Sequence, residues 1–241
     1  MAPAARLSIL MPCYQLAGTI AANIDRVVAA TSAEAGVEVV VADDGSTDGT
    51  REAAERAAAR HPNVRVVANP ENAGKGRVLQ RAFAASSGEI VVFLDGDLDL
   101  PPEQVPAMVA ELRRGGWDAL LGAKRAALVA GGYPRARRVL SRIFSAVARL
   151  AFRLPVAETQ TGLKAFRREP LETTMPALQI GRYSFDLELV SLLHRAGRRI
   201  GEYPVRLEAH ASESRVTVAT LWEMGRDTVR LWFRTVVRRR R

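Results

Sequence analysis

Short apolar runs and longer amphipathic stretches alternate along the first half of the chain. Most of the runs are rich in β-branched residues, which predicts buried strands. The predicted strands are Leu7–Met11, Val37–Ala42, Val64–Ala68, Ile90–Leu94 and Asp118–Gly122. Apolar residues at helical spacing follow the first four runs. The predicted helices are Thr19–Thr31, a helix capped by Ser46 or Thr47 that runs to about Arg60, Gly76–Ser86 and Glu103–Arg114. This repetition predicts an α/β fold with a mostly parallel, twisted sheet flanked by helices.

The second half of the chain lacks this regular alternation. Helices are predicted over Arg135–Leu154, Ser184–Ala196 and Val218–Val237. Thr161–Arg167 is predicted to be extended, and Ile200–Val205 to be a strand. No repeat and no low-complexity linker interrupts the chain. We therefore expect one α/β domain over residues 1–217 and a basic, amphipathic C-terminal helix and tail over residues 218–241.

Three polar loops follow predicted strands. They are Pro12-Cys13-Tyr14, Asp43-Asp44-Gly45-Ser46 and Asp95-Gly96-Asp97-Leu98-Asp99. Ligands of parallel sheets bind outside the carboxyl ends of the strands, so these loops should line one site. The three carboxylates of the third loop suit Mg²⁺ or Mn²⁺, especially when a substrate phosphate completes the shell. The alternatives are a solvated acidic turn, or Asp99 as the cap of the next helix.

Two further segments carry candidate nucleotide contacts. The carboxylates of Asp43 and Asp44 can accept hydrogen bonds from a nucleobase N–H or a ribose hydroxyl, although Asp, Ser and Gly are also typical of a helix cap and turn. Lys75 stands between glycines before a helix but lacks the spacing of a P-loop. It can face a diphosphate at the helix N-terminus, or lie in a plain solvated turn.

Composition narrows the choice of partners. Lys and Arg number 35 against 26 Asp and Glu, a net charge of +9, which indicates a phosphate-bearing substrate, an acidic membrane surface or nucleic acid. The single cysteine, Cys13, excludes an internal disulfide and has no histidine partner that would make it a nucleophile. No apolar stretch approaches the roughly 20 residues that span a bilayer, and we expect no secretory signal.

The last predicted helix combines arginines with tryptophans. Its arginines recur every four residues, at Arg226, Arg230, Arg234 and Arg238. Its apolar residues are Trp222, Val229, Trp232, Phe233 and Val236. Such a helix can lie in an anionic membrane interface, and the alternative is an ordinary amphipathic helix with its apolar face in the core. The same two interpretations apply to Arg135–Leu154.

A set of motifs, in order along nearly the whole chain, resembles the family 2 glycosyltransferases with the GT-A fold. The motifs are Met11–Tyr14, Val39–Thr50, Asn72–Gly76, Phe93–Asp99, Leu121–Arg125, Glu158–Lys164, Phe185–Glu188, Glu202–Val205 and Glu213–Arg215. Within the family, the pattern is most similar to the dolichol-phosphate or polyprenyl-phosphate mannose and glucose synthases. The resemblance implies a GT-A-like, Rossmann-type nucleotide-sugar fold with C-terminal amphipathic helices, and a GT-A domain over residues 1–217.

The resemblance also implies roles for individual residues. Asp95, Asp97 and Asp99, a DXD-type motif, would hold the metal. The nucleotide-sugar would be held by Pro12, Cys13, Tyr14, Asp43, Asp44, Lys75, Asp95, Gly96, Asp97 and Arg215. The acceptor phosphate would meet Lys124 or Arg125, with Arg138 and Ser141. The residues nearest to the chemistry would be Asp97, Lys124, Arg125 and Arg215.

Some positions depart from the family pattern. Gln15-Leu16 stands where the family has Asn-Glu, so an acidic donor contact is lost. Asp99 stands where Gln is frequent, Glu158 where Asp is usual, and Ser212 where Gly is usual. These differences leave the donor open between GDP-mannose and UDP-glucose.

The expected function is metal-dependent transfer of a hexose, with inversion, from a nucleotide-sugar to polyprenyl or dolichyl phosphate. An ionised lipid phosphate needs no general base, so Asp186 and Glu188 are expected to be acceptor-side or structural groups. The protein would be peripheral on the cytoplasmic face of a membrane, with a possible membrane-protein partner and no nucleic acid. One alternative is transfer to a sugar hydroxyl of a glycolipid or polysaccharide, which requires a carboxylate base. The other is a non-enzymatic, basic membrane or nucleic-acid binder.

Overall fold

The computed structural model describes residues 6–124, 148–182, 184–208 and 218–237, with the backbone alone at 218–224 and 236–237. Seven strands form one sheet. The strands are β1 (Leu7–Cys13), β2 (Val37–Asp43), β3 (Val64–Ala68), β4 (Ile90–Leu94), β5 (Ala119–Lys124), β6 (Leu163–Arg167) and β7 (Ile200–Val205). The helices are α1 (Ile20–Ala30), α2 (Thr50–Ala58), α3 (Lys75–Ala85), α4 (Val105–Arg114), α5 (Arg168–Ala177), α6 (Phe185–Arg195) and α7 (Val218–Trp232). Residues 148–152 are also helical.

The strands lie in the order β3-β2-β1-β4-β6-β5-β7. β6 runs antiparallel to both of its neighbours, β4 and β5, whereas every other pairing is parallel. The carboxyl ends of β1, β2 and β4 therefore meet at one edge of the sheet. The mostly parallel sheet expected from the sequence is confirmed, with one reversed strand.

Both faces of the sheet are covered, which explains the continuous apolar character of its central strands. Alternate residues of β1 enter opposite cores. Ile9 packs with α1, α2 and α4 in the first core, and Leu10 packs with α3, α5 and α6 in the second core. Every residue of β1 is buried. Leu231 of α7 and the helical residues 148 and 152 belong to the second core.

The start of α2 differs from the prediction. Gly49, at φ 91°, precedes the helix, whereas Ser46 and Thr47 were expected to cap it. The Ser46 and Thr47 hydroxyls instead accept hydrogen bonds from the main chain and the side-chain amide of Gln15, at 3.0 Å each. The Asp48 carboxylate accepts the Thr50 N–H at the first turn. The hydroxyls expected to cap the helix therefore bind the loop after β1.

Two other elements differ from the prediction. α5 was not predicted at all, because its apolar residues are few and Pro176 interrupts them. The final helix was expected to run to Val237, but it ends as an α-helix at Trp232 and continues as a π-helix over Phe233–Val237.

The arginines of α7 and its extension do not share one outward face. Arg226 and Arg230 are exposed beside Val229 and Phe233, whose exposed fractions are 55% and 54%. Arg234 instead pairs with Glu188, which is fully buried. Trp232 packs against the second core, as the interpretation of an ordinary amphipathic helix predicts. Arg234 departs from the row of the other two arginines because a buried carboxylate pairs with it.

Several predicted residues lie outside the described parts of the chain. They are Arg125, Arg138, Ser141 and Arg215, together with most of the predicted helix Arg135–Leu154. In the segments that the structure does describe, no helix has the length and apolar character needed to cross a membrane. The division at residue 217 stays a prediction.

Candidate functional site

The three polar loops predicted to line one site do meet at the carboxyl edge of the sheet. Cys13 lies opposite Asp43 in the parallel pairing of β1 and β2. The Asp44 N–H donates to the Cys13 carbonyl at 2.9 Å, and the Gly96 N–H donates to the Pro12 carbonyl at 2.9 Å. A Cβ at Gly96 would lie 2.8 Å from that carbonyl, so only glycine allows this approach. The loops after β2, β1 and β4 are thereby tied side by side.

Asp43 and Asp44 are both buried but differ in their partners. Asp43 Oδ2 accepts the Ser46 N–H at 3.1 Å, while its Oδ1 has no hydrogen-bond partner among the described residues. Asp44 Oδ1 accepts the Asn69 side-chain amide and the Ala73 N–H, and Oδ2 accepts the Gly74 N–H. An unpartnered buried carboxylate oxygen is costly, so Asp43 Oδ1 has the capacity to accept one more hydrogen bond.

Lys75, the first residue of α3, reaches the turn Asp95–Asp99 after β4, which we call the acidic turn. Its Nζ lies 2.5 Å from Asp95 Oδ1. Burial alone would lower the pKa of Lys75, but the carboxylates of Asp95, Asp186 and Asp97 outweigh it and raise that pKa above its usual value. Lys75 is therefore a permanent positive charge at this turn, as its predicted contact with a diphosphate requires.

Burial and neighbouring carboxylates disfavour the charged form of Asp97 in the acidic turn. Desolvation, together with the charges of Asp95 and Asp99, raises the pKa of Asp97 to about 6. The Asp99 N–H donates to Asp97 Oδ1 at 3.2 Å, so Asp99 folds the turn back on Asp97 and does not simply begin the next helix. Carboxylates crowded in this way favour a cation between them.

Gly162 of the loop before β6 closes this turn from the other side. The Asp95 N–H donates to the Gly162 carbonyl at 3.1 Å. A Cβ at Gly162 would lie 2.5 Å from Asp95 Oδ2 and would displace the carboxylate. Among the described residues no group of three or more His, Cys, Asp or Glu side chains is placed to hold a metal ion by itself. The donor set fits Mg²⁺ or Mn²⁺ in the manner in which these ions use one or two carboxylates and complete their shell with substrate phosphate and water.

The loop after β1 shows what replaces the family's Asn-Glu. Gln15, at φ 55°, binds Ser46 and Thr47 with its main chain and side chain, and Leu16 packs against the first core. Tyr14 is 46% exposed at this edge, while Pro12 is buried. The missing acidic contact is thus replaced by hydrogen bonds that fasten this loop to the one after β2.

Cys13 behaves as the buried small residue expected from the sequence. Its thiol donates weakly to the Ala42 carbonyl at 3.6 Å. Burial first, and then the charges of Asp43, Asp48 and Asp44, raise the pKa of Cys13 to about 12. The thiol stays neutral, so Cys13 lines the site without being a nucleophile.

The predicted acceptor side begins at the end of β5. Lys124 is exposed there, and its N–H donates to Glu158 Oε2 at 2.9 Å. Glu202 of β7 accepts the N–H groups of Ala157 and Glu158, at 2.5 and 3.3 Å. Glu158, which stands where the family has Asp, is therefore occupied in holding the strand end.

Asp186 and Glu188, left open between acceptor-side and structural roles, are both engaged inside the protein. Asp186 forms a buried ion pair with Lys164, at 2.6 Å. Glu188 accepts the N–H groups of Gln179 and Ile180 and pairs with Arg234. Both carboxylates therefore have partners inside the protein.

Comparison with known proteins decides the family. The family model described as "Glycosyl transferase family 2" matches residues 8–174. The chain belongs to this family. The resemblance drawn from the motifs is thereby confirmed, and family 2 membership makes the chain a glycosyltransferase by class.

Two curated relatives extend over almost all of this family 2 chain. Glycosyltransferase AglD of Haloferax volcanii is 33% identical over 239 residues, 97% of this chain and 38% of that protein. A dolichol-phosphate mannosyltransferase of Pyrococcus furiosus is 26% identical over 235 residues, 94% of this chain and 63% of that protein. The chain thus spans less than two thirds of either relative.

A solved structure supports the fold. Glucosyl-3-phosphoglycerate synthase of Mycobacterium tuberculosis, in complex with Mn²⁺, UDP-glucose and phosphoglyceric acid, is 26% identical with a TM-score of 0.71. The match covers 96% of this chain and 79% of that one. The GT-A-like fold expected from the motifs is confirmed.

Several residues that shape the site have no role predicted from the sequence. Asn69, Gly162, Lys164 and Gln15 each hold another residue through a contact described above. Gly162 and Lys164 lie in a motif that the resemblance included, so their place in the chain was a signal. Their partners are distant in sequence, and only the folded sheet brings them together.

Proposed function

We propose that this family 2 chain transfers a hexose from a nucleotide-sugar to a polyprenyl or dolichyl phosphate, with a divalent metal and inversion at the anomeric carbon. The observation that carries the proposal is the arrangement at the sheet edge. Asp43, a buried acceptor with one oxygen unpartnered among the residues that the structure describes, lies on one side, and a lysine and crowded carboxylates lie on the other. Such a site suits a ligand with a nucleobase N–H at one end and a metal-bound diphosphate at the other.

The donor half of the site is assigned from these contacts. Asp43 would receive the nucleobase N–H, with Tyr14 exposed beside it. Asp97, with Asp95 or Asp99, would hold Mg²⁺ or Mn²⁺ on the diphosphate, and the ion would supply positive charge to the leaving group. Lys75 adds a fixed positive charge there, which stabilises the leaving nucleoside diphosphate.

The acceptor half favours a phosphate. An oxygen of the lipid phosphate attacks the anomeric carbon, the bond from that carbon to the diphosphate oxygen breaks, and the nucleoside diphosphate leaves. A phosphate is already ionised near neutral pH and needs positioning by cations. Lys124 is such a cation at the edge of β5, and Arg125, Arg138, Ser141 and Arg215 are proposed to join it.

Transfer to a sugar hydroxyl would require a general base. Asp186 and Glu188, the carboxylates considered for this role, are held in ion pairs inside the protein. This supports a phosphate acceptor over a hydroxyl. Names of relatives point the same way, since one is a dolichol-phosphate mannosyltransferase and another an undecaprenyl-phosphate mannosyltransferase of Micrococcus luteus.

We also propose a peripheral position at the cytoplasmic face of a membrane. Exposed Val229 and Phe233 lie beside exposed Arg226 and Arg230, a combination that favours an anionic interface. A membrane-protein partner is compatible with this position.

The test is incubation of the purified chain with labelled GDP-mannose and UDP-glucose, in parallel, with a short polyprenyl phosphate and Mg²⁺. Label from one donor should enter the organic phase and should disappear with Asp97→Asn, which keeps the shape of the side chain and removes its charge. Absence of lipid-soluble label from both donors, in a chain that binds one of the two nucleotides, would contradict the proposal.

A further inference from the structure

The carboxylate of Asp44 is occupied by the protein itself. It is 4% exposed, and three N–H donors of the Asn69–Gly74 turn reach it at 2.8 to 3.0 Å. A carboxylate offers about four acceptor positions, so most of its capacity is used before any ligand arrives. Asp43, the preceding residue, keeps an oxygen without a hydrogen-bond partner in the described part of the chain. Adjacent carboxylates in the same loop therefore have different tasks.

We propose that Asp44 is a positioning residue that fixes the Asn69–Gly74 turn and thereby places Lys75 at the diphosphate end of the donor site. This inference rests on the proposed function for the identity of the ligand. It removes Asp44 from the set of residues that touch the nucleoside.

The turn is held from its opposite side as well. The Gly76 N–H donates to the Gly181 carbonyl at 2.8 Å. Gly74 has φ 97°, and a Cβ there would lie 2.4 Å from the same carbonyl. The turn therefore passes through a narrow gap between Asp44 and Gly181, in a conformation that glycine alone adopts without strain.

Lys75 lies between the two anchored glycines. Its backbone is fixed by the Gly74 N–H bound to Asp44 and by the Gly76 N–H bound to Gly181. Its side chain then ends 2.5 Å from Asp95 Oδ1. A lysine side chain has four rotatable bonds and is not rigid by itself, so a fixed backbone determines which carboxylate it reaches. Asp44 thus acts on the diphosphate end of the donor through Lys75.

This role predicts a specific pattern of affinities. A residue that contacts the nucleoside would affect nucleoside monophosphate and diphosphate alike. A residue that positions Lys75 would affect the diphosphate much more than the monophosphate. In Asp44→Asn, one oxygen becomes an amide donor that faces N–H groups, so the turn loses part of its anchor.

The first measurement needs no ligand. Hydrogen–deuterium exchange of peptides covering residues 69–79 is compared between the wild-type chain and Asp44→Asn, with Asp43→Asn as the matched control. Exchange should become faster in Asp44→Asn and stay at the wild-type rate over this segment in Asp43→Asn. An unchanged rate in a folded Asp44→Asn protein overturns the proposal.

The second measurement is calorimetric binding of UDP against UMP and of GDP against GMP, at fixed Mg²⁺. For the pair that binds, Asp44→Asn should weaken the diphosphate about tenfold or more and the monophosphate less than about twofold. Lys75→Met should give the same selective loss, and the double variant should lose little beyond either single one. Equal weakening of both nucleotides by Asp44→Asn would overturn the proposal.

The two measurements separate two kinds of failure. If no nucleotide binds the wild-type chain, the proposed function fails, and the exchange rates alone decide whether Asp44 holds the turn. If Asp44→Asn does not fold, Asn69→Ala removes one of the three donors and is measured in the same way. Unchanged exchange at residues 73 and 74 in that variant overturns the proposal.

Discussion

The ammonium of Lys75 lies 2.5 Å from the carboxylate of Asp95, so the start of α3 supplies the counter-charge for the acidic turn after β4. The two residues belong to different strand–helix units and meet only because β4 lies beside β1 in the sheet. The pair gives the proposed donor site a cation that does not depend on a bound metal or substrate. This contact explains why a glycine-flanked lysine without P-loop spacing still belongs to the site.

Replacing Lys75 by Met should therefore slow transfer far more than it perturbs the fold. Removal of one fixed charge that stabilises a leaving group typically costs about 10²- to 10³-fold in rate. The measurement is kcat/KM for the donor, with the secondary structure checked by circular dichroism. Arg51→Met, which breaks an exposed ion pair with Glu55, is the matched control and should keep full activity. A loss below about threefold in Lys75→Met would contradict this role.

Metal binding should depend on pH through Asp97. The pKa of Asp97 is raised to about 6. Below that pH the carboxylate holds a proton, and the proton competes with the metal for the carboxylate. Mn²⁺ affinity should rise as pH increases from 5 and level off above about 7, about one unit past that pKa. Titration of the wild-type chain with Mn²⁺ across this range measures the effect.

The control for the pH effect is Asp97→Asn, which should bind Mn²⁺ weakly at every pH. Activity of the wild-type chain should be lost with EDTA and return on addition of Mg²⁺ or Mn²⁺. Mn²⁺ affinity that does not change between pH 5 and pH 8 would contradict the assignment of Asp97.

Gly162→Ala should damage the metal site without unfolding the protein. A Cβ at Gly162 would lie 2.5 Å from Asp95 Oδ2, a side-chain atom that can move away from the metal position. We expect at least about tenfold weaker Mn²⁺ binding, with a loss of stability in the usual range of about 0.5 to 3 kcal/mol. Gly18→Ala is the matched control, because nothing lies within 4 Å of its added Cβ. Equal Mn²⁺ affinity in the two variants would disprove the contact's importance.

The buried pair of Lys164 and Asp186 should matter for stability. Their side chains are 1% and 7% exposed, so removal of one charge leaves the other buried and unpaired. Lys164→Met should cost about 3 to 5 kcal/mol in the free energy of unfolding. The double variant Lys164→Met with Asp186→Leu should recover much of that loss. Urea denaturation measures both, and a single-variant loss below about 1 kcal/mol would show that the pair is not needed for the fold.

The exposed face of α7 and its extension should bind anionic vesicles. The double variant Val229→Ser with Phe233→Ser removes the apolar contact with the lipid. The double variant Arg226→Gln with Arg230→Gln removes about 1 kcal/mol of membrane-binding free energy per charge. Both double variants should co-sediment less with phosphatidylserine vesicles. Added salt should weaken vesicle binding of the wild-type chain, because salt screens the attraction between the arginines and the anionic lipid. Leu231→Ala, in the buried face, should lower stability and leave vesicle binding of the folded protein unchanged. Vesicle binding that persists in both double variants would rule out this face.

Six of the seven strands were predicted as strands, and the segment that contains β6 was predicted only as extended chain, because its residues do not form an apolar run. Ile90–Leu94 and Val64–Ala68 match the structure at both ends. The reversed direction of β6 was not predictable, because direction depends on pairing with β4 and β5. α5 was missed because tertiary packing of Leu171 and Met175, and not a clear helical pattern, stabilises it.

At the site, the sequence predicted which loops meet but not which atoms remain available. Asp43 and Asp44 look alike in the sequence, yet only the fold shows that the turn before α3 occupies one of them. The regular spacing of the arginines in the last helix likewise did not predict that Arg234 pairs with Glu188, because Glu188 is buried and distant in sequence. Partners that are far apart in sequence set these roles.

The most direct test of the central claim compares two acceptors of equal chain length, a polyprenyl phosphate and the corresponding polyprenol. Initial rates are measured with the labelled donor that the chain binds, with Mg²⁺, for the wild-type chain and for Asp97→Asn. We predict labelled lipid from the phosphate alone, and none from Asp97→Asn or after EDTA treatment. Equal transfer to the polyprenol, or no transfer to the phosphate by a folded chain that binds the donor, would contradict the account.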